Sequence, residues 1–345
     1  MIAVEFFCLL SLLLVAGKFL RVGIPLLRKL YLLGVVFAVS ALFAAEQDPP
    51  VIERSNPRTY HIRSAVTASF IGTPPDKLFI ITPLPESSQY QTVSGETVSS
   101  GQIRRFPLDC GRYVFYSARR KFPPLVLEFD VTIYDVRTHW DRIKDIPEPS
   151  GEQRYFAKNS GIGIRNDYSP VVKVSRELAA KSKNIVEYAR LAYLYMTDKF
   201  KYGRAPDISL RSIWHCRRGN CGNLSSVYVS LLRTRGIPAR SVLALRPDGS
   251  GHVWAEFFVD GVGWIPVDVT ADLGKGDFRH FGNIYRDNCV VLHKDLYFNV
   301  FNGSKEVEIE ALQGYAFWVR SKRPIGKVKT DMSFKGKLVP DPKTR

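Results

Sequence analysis

Residues 219–240 read GNCGNLSSVYVSLLRTRGIPAR and, after a short gap, residues 252–268 read HVWAEFFVDGVGWIPVD. In the first stretch Leu224, Val227, Tyr228, Leu231 and Leu232 fall on one face of an amphipathic helix. Asn220 suits the N-cap, Gly236 the C-terminal stop, and Pro238 follows. Cys221 therefore lies in the first helical turn, where unpaired backbone N–H groups and the positive end of the helix dipole favour thiolate over thiol. Taken alone, such a cysteine reads more readily as a small buried residue or half of a disulfide. The second stretch changes that reading.

Two alternating runs, His252 to Val259 and Gly263 to Asp268, flank a glycine-bearing turn and predict a β-hairpin. Side chains alternate between faces, so His252 and Asp268 share one only if even-numbered residues pair with even-numbered ones. A three-residue connection, Asp260 to Val262, does this: Val259 faces Gly263, Trp254 faces Asp268, and His252 is diagonal to Asp268. A carboxylate there fixes the imidazole tautomer and supports the imidazolium, leaving the other ring nitrogen for a thiol. A two- or four-residue loop would put Asp268 on the opposite face, with Asp272 as the reserve. Nucleophile, base and orienting group are then Cys221, His252 and Asp268.

Upstream, Ile185, Ala189, Ala192 and Met196 form one apolar stripe and predict a helix over 181–200. From Arg58 to Val136 the pattern is mostly strand: Leu127, Phe129, Val131 and Ile133 alternate with Glu128, Asp130 and Thr132. Segments 60–70, 78–82 and 112–117 are further strands, separated by Pro-rich turns, which together suggest a small antiparallel sandwich. Tyr202 reads as core, with a place in the cleft lining as the lesser reading, and Trp254 and Trp264 as hairpin packing rather than substrate platforms. His61, His139, His280 and His293 read as structural or surface residues. His215, Cys216 and Cys221 lack zinc spacing and the acidic residues form no calcium loop, so neither a metal nor a cofactor is expected.

The chain has 345 residues, 49 Lys+Arg against 33 Asp+Glu, and 45% hydrophobic residues, including 21 Phe, 16 Tyr and 5 Trp. That apolar content excludes a largely disordered chain. Residues 1–45 hold two apolar runs, 2–17 and 30–45, separated by Lys18, Arg21, Arg28 and Lys29, and end in small residues before a polar stretch. This is the layout of a secretory signal or an uncleaved membrane anchor. Setting aside the four bases and one acid of that segment leaves 45 bases against 32 acids, a charge of +13. In an exported protein such a surplus points to anionic envelope or membrane surfaces rather than nucleic acid. Eight of the bases lie in 321–345, read as a solvated, poorly ordered end. In an oxidising compartment Cys110, Cys216 and Cys289 suggest one bridge, with Cys216 to Cys289 as the expected pair.

The blocks Gly219-Asn220-Cys221-Gly222, Leu232 to Arg240, His252-Val253-Trp254-Ala255-Glu256 and Gly263 to Asp268, in this order, resemble the transglutaminase-like superfamily, with bacterial exported members as the nearest pattern. The resemblance runs from about residue 180 to 295. It implies an α+β fold with a papain-like core: a helix bearing Cys221 packed on an antiparallel sheet bearing His252 and Asp268, preceded by a small β-sandwich-like domain. The expected organisation is a signal or anchor at 1–45, a β-rich domain at 55–140, a linker at 141–174, the catalytic core at 175–305, and a C-terminal strand and basic tail at 306–345. By resemblance the triad would attack protein or peptide amides through a thioester, with hydrolysis the leading outcome and acyl transfer to amines the other. The alternative is a non-catalytic envelope binding or scaffold protein that keeps the fold for its cleft. The oligomeric state is not readable.

The 1–45 layout predicts that everything after it lies outside the cytoplasm. A topology-reporter fusion at about residue 60 should be active only as an extracytoplasmic reporter; cytoplasmic reporter activity would sink the idea.

Overall fold

The computed structural model describes residues 49–285 and 288–340. The expected signal or anchor at 1–45 lies outside the described residues, among which no helix is long and apolar enough to cross a membrane.

Period-2 patterning from Val51 onward builds six strands: β1 (Ile52–Ile71), β2 (Lys77–Leu84), β3 (Gln91–Val98), β4 (Gln102–Arg105), β5 (Arg112–Arg119) and β6 (Leu125–Thr138). Four helices follow, α1 (Ser169–Ala179), α2 (Ile185–Lys199), α3 (Leu210–Cys216) and α4 (Cys221–Thr234), with the two-residue strands β7 (Lys201–Tyr202) and β8 (Arg218–Gly219) on either side of α3. Next come β9 (Ala239–Leu245), β10 (Gly251–Val259), β11 (Gly263–Val267), β12 (Asn283–Ile284) and β13 (Val290–Lys294). The chain returns through β14 (Tyr297–Phe301), β15 (Glu306–Glu310), β16 (Ala316–Arg320) and β17 (Lys327–Leu338). The result is a mixed α+β architecture in which strands predominate.

A five-strand and a four-strand sheet carry the β-rich part, the first in the order β12-β6-β1-β17 with β3 also on β6, the other β16-β2-β5-β4. They face each other through Val66, Leu125 and Leu127 against Leu78, Ile80, Val114 and Tyr116. The sandwich thus takes β16 and β17 from the C-terminal end, because β1 pairs with β17 and β2 with β16. Strand β6 is longer than this sandwich needs, at about 3.3 Å per residue. Beyond Leu127 its inner face continues as Phe129, Val131 and Ile133, which pack with Ile62 on Leu245, Val290 and Leu292 of a third sheet, β11-β10-β9-β13. The other face of that third sheet is covered by the helices: Tyr188, Tyr193, Leu224 and Tyr228 bury against Val253, Ala255 and Phe257.

Two expectations are corrected. The basic end does not float: Lys327 to Leu338 pairs with β1 from Ile71↔Lys327 to Tyr60↔Leu338. Val328, Thr330, Met332 and Phe334 turn inward while Lys327, Lys329, Lys335 and Lys337 stay exposed, so a strand pattern was hidden beneath the charge. The Cys216–Cys289 bridge is absent, and among the described residues Cys110, Cys216, Cys221 and Cys289 form no disulfide. Cys289 packs among Tyr90, Val136 and Trp254, whereas Cys216 is exposed at the end of α3.

His293 is buried, with Nε2 at 3.0 Å from the Leu312 carbonyl and its ring against Phe106 and Phe298. Burial pushes its pKa down to about 4, against hydrogen bonds to carbonyls that favour the charged form. The unfolded chain binds this proton near pH 6.5, so its contribution is full above that value and is lost as pH falls toward 4. Urea unfolding at pH 6.5 and 4 should show wild type losing about 3 kcal/mol more than His293→Gln. Parallel losses would show that His293 does not carry the acid sensitivity.

Candidate active site

Three backbone features hold Cys221 at the start of α4. The β7–β8 ladder sets Tyr202 beside Gly219. Asn220 Oδ1 accepts from the Asn223 N–H at 2.9 Å while the Asn223 side chain accepts from the Asn220 N–H, a reciprocal cap. A Cβ on Gly219 would meet Asn223 Cβ at 2.6 Å, so the turn closes only around glycine. Arg217, left-handed at φ 52°, lays its guanidinium on Trp214 at 4.2 Å and donates to the Tyr195 hydroxyl at 3.0 Å. That stack ties the loop before the cysteine to the helical core.

The hairpin takes the even-to-even register, with Val259 opposite Gly263 and Ala255 opposite Val267 across the Asp260–Val262 connection. His252, near the start of β10, and Asp268, just past β11, then meet: Nε2 lies 2.7 Å from Asp268 Oδ2. The other carboxylate oxygen accepts from the Thr270 N–H at 2.9 Å, the Thr270 hydroxyl at 2.7 Å and the Ala271 N–H at 3.3 Å. Burial alone would raise the Asp268 pKa, but His252 and Thr270 outweigh it and hold the carboxyl below its ordinary range. Gln313 Nε2 donates to the carbonyls of His252 and Ala244, bracing the first residues of the strand from outside.

At half-buried Cys221, burial again works against charge. The hydrogen bond and positive charge of His252, with the N–H groups of Val253 and Gly222, outweigh it and bring the thiol below its ordinary pKa. With Nε2 on Asp268, Nδ1 is the ring nitrogen left for the sulfur. A thiolate, an imidazole and an orienting carboxylate in this order can perform nucleophilic acyl transfer.

Tyr202, expected in the core, is instead 61% exposed. Its hydroxyl hydrogen-bonds with the Cys221 side chain and backbone. The β7–β8 pairing, two residues long and without hydrophobic periodicity, gave no sequence signal for this. Asp272, the reserve orienting group, is committed elsewhere: it takes His280 Nδ1 at 2.8 Å, the His280 N–H at 2.9 Å and the Tyr193 hydroxyl. Trp254 is 1% exposed and stacks edge-on with Tyr90, whose hydroxyl donates to Glu256 at 2.7 Å.

Residues 172–269 match the family model of the transglutaminase-like superfamily. An uncharacterized protein of Haemophilus influenzae is 32% identical over 83 residues, 17% of this chain and 22% of the relative, so the match spans about a fifth of that relative's length. A candidate cysteine protease from Cytophaga hutchinsonii has a similar fold, with TM-score 0.56, 15% identity, and coverage of 84% of this chain and 93% of that one. The periplasmic domain of TgpA from Pseudomonas aeruginosa aligns over 67% of this chain and 88% of its own, at 18% identity and TM-score 0.34.

The His252 contact predicts an unusually acidic thiol. Alkylation of Cys221 by iodoacetamide across pH should give a midpoint below the roughly 8.5 of a free thiol, and His252→Ala should move it upward. An unshifted midpoint in wild type would count against an activated cysteine.

Proposed function

We propose that this protein is an exported cysteine enzyme of the transglutaminase-like superfamily that acts on protein or peptide amides, with water as the acyl acceptor. The observation that carries the reading is the 2.7 Å bond from His252 to Asp268 beside a thiol held below its ordinary pKa. The Cys221 thiolate attacks the amide carbonyl, and the oxyanion takes hydrogen bonds from the Cys221 N–H and the Tyr202 hydroxyl. As the C–N bond breaks, His252 delivers its proton to the leaving amine and a thioester remains on Sγ. His252 then takes a proton from water, whose oxygen attacks the thioester; the carboxylic acid leaves and the thiolate re-forms. Asp268 holds the imidazole and stabilises its charged form throughout. An amine in place of water at the second step gives cross-linking by the same route.

Export rests on the charged and apolar layout of residues 1–45. The exposed lysines 327, 329, 335 and 337 of β17 support contact with an anionic envelope surface. A non-catalytic scaffold has no need of all three groups in this arrangement.

Cys221→Ser and His252→Ala should each abolish turnover of a peptide substrate, with the general acid–base step alone worth about 10²- to 10⁴-fold. Asp268→Asn should lose less. The double variant Cys221→Ser/His252→Ala should cost little more than either single change, because the pair acts as a unit. Cys221→Ser should shift stability by under about 1 kcal/mol. Full biological function in Cys221→Ser would replace this reading with the binding-module alternative, and products carrying an added amine would replace hydrolysis with transfer.

A further inference from the structure

Beside the triad stands a second pairing of a histidine with a buried carboxylate, His280 with Asp272, to which the acyl-transfer steps assign no role. Asp272 takes two bonds from the same residue: the His280 N–H reaches Oδ2 at 2.9 Å, and His280 Nδ1 reaches Oδ1 at 2.8 Å. The Tyr193 hydroxyl, from α2, also donates to Oδ2. Burial works against the charge of this carboxylate, but the Tyr193 hydroxyl and the His280 N–H and ring outweigh it and hold the carboxyl below its ordinary range. Tyr193 from α2, with His280 and Asp268 from the same loop, are the titratable groups set against it.

These bonds close the loop that begins at Asp268. Past the end of β11, residues 280–282 run antiparallel to 266–268: the Gly282 N–H donates to the Pro266 carbonyl at 2.8 Å, Val267 bridges Phe281, and the Asp268 N–H donates to the His280 carbonyl at 3.0 Å. His280 is therefore the backbone partner of Asp268. The loop between them carries Gly274 and Gly276 at φ 70° and 67°, with open space around both, so its backbone has many states to lose on ordering. Asp272 ties the two ends together. It fixes His280 at one end, and the Tyr193 hydroxyl bonded to it lies 3.4 Å from the Asp268 carbonyl at the other. Asp268 is thus held at its N–H and near its carbonyl by groups that converge on Asp272, while Thr270 and Ala271 hold Oδ1 and Oδ2 meets His252.

We propose that Asp272 is a positioning residue for the acyl-transfer site, acting through the His280 backbone and the Tyr193 hydroxyl on the place and direction of Asp268. The inference rests on the reading of Cys221, His252 and Asp268 as nucleophile, base and orienting group, and adds to it a residue that acts only through another. If Asp268 drifts, its bond to His252 lengthens, the imidazolium loses support, and the thiolate loses the cation that favours it. The acidity of the Cys221 thiol therefore reports on Asp272. The direction of change separates two causes: by charge alone, removing a carboxylate makes a neighbouring thiol more acidic, whereas loss of positioning makes it less so.

Iodoacetamide alkylation across pH tests this on the full chain without a known substrate, read at Cys221 by peptide mass spectrometry so that Cys216 does not contribute. Asp272→Asn keeps the side-chain volume but replaces one accepting oxygen by a donor, and should raise the Cys221 midpoint by about one pH unit, a roughly tenfold loss of thiolate well below the midpoint. Tyr193→Phe keeps the carboxylate and its bonds to His280, and should give about half that shift. Asp268→Asn should raise the midpoint at least as far as Asp272→Asn. The double variant Asp268→Asn/Asp272→Asn should titrate like Asp268→Asn alone, because the second carboxylate acts through the first. Thermal unfolding establishes that each variant is folded; a merely structural Asp272 would lower the unfolding temperature and leave the midpoint in place. Should Asp272→Asn fail to fold, Tyr193→Phe carries the test. An unchanged or lowered midpoint in a folded Asp272→Asn or Tyr193→Phe, or full additivity of the two carboxylate changes, would overturn the inference and leave the cysteine mechanism standing. A wild-type midpoint at the free-thiol value would instead overturn the mechanism, and the positioning role with it.

Discussion

The three-residue connection Asp260–Val262 is the constraint on which the site depends. A hairpin has a side-chain period of two, so a loop longer or shorter by one residue would turn Asp268 to the opposite face. Gly261, at φ 80°, supplies the left-handed position such a loop uses. With Val259 opposite Gly263, Asp268 emerges beside His252 and the 2.7 Å bond follows. The electrostatics of the thiol then follow from that bond, because an imidazole held by a carboxylate offers its remaining nitrogen and its charge to Cys221. Nothing in the helix alone would do this, since a helix N-terminus favours thiolate but provides no proton carrier.

A hairpin edge is a mobile platform unless something backs it, and two devices do so here. On the outer face of the third sheet, β1 and β6 run past the end of the sandwich and lay Ile62, Phe129, Val131 and Ile133 on β9 and β13. Within the hairpin, Glu256 is 1% exposed and is shared between Arg240 at 2.6 Å and the Tyr90 hydroxyl at 2.7 Å, while the Arg240 guanidinium stacks 3.8 Å above Trp264. A buried ion pair of this sort adds little net stability, but losing one partner strands the other, at about 3–5 kcal/mol. The arrangement therefore penalises alternative registers of β10 against β9 and β11. Strands β1 and β6 of the sandwich pack against the third sheet, and residues far apart in sequence, such as Gln313 and His252, come to brace one another.

A second histidine stands beside the first. His280, in the loop after β11, is held by its own buried carboxylate, Asp272, at 2.8 Å and lines the same cavity as His252. Loops of this kind are where a fold varies its contacts without disturbing its core.

By itself, the sequence determined the elements with local periodicity and the chemistry they carry. The α4 face, the Asn220 cap, the Gly236 stop and the alternation of Leu125 to Tyr134 are short-range patterns, and each encodes its own element. Cys221, His252 and Asp268 were legible because a helix cap and a hairpin loop are local devices, and counting residues through the loop gives the facing pairs. Only the tertiary structure decided which distant segments close the molecule. The lysine-rich end reads as solvated until β1 offers it a twelve-residue ladder. Cys216 and Cys289 look like partners until packing sends one to the surface and the other into the core. Tyr202 reads chiefly as core until the two-residue β7–β8 ladder turns it toward Cys221. Period and capping report what a segment becomes, whereas its neighbours depend on long-range burial that no local pattern carries.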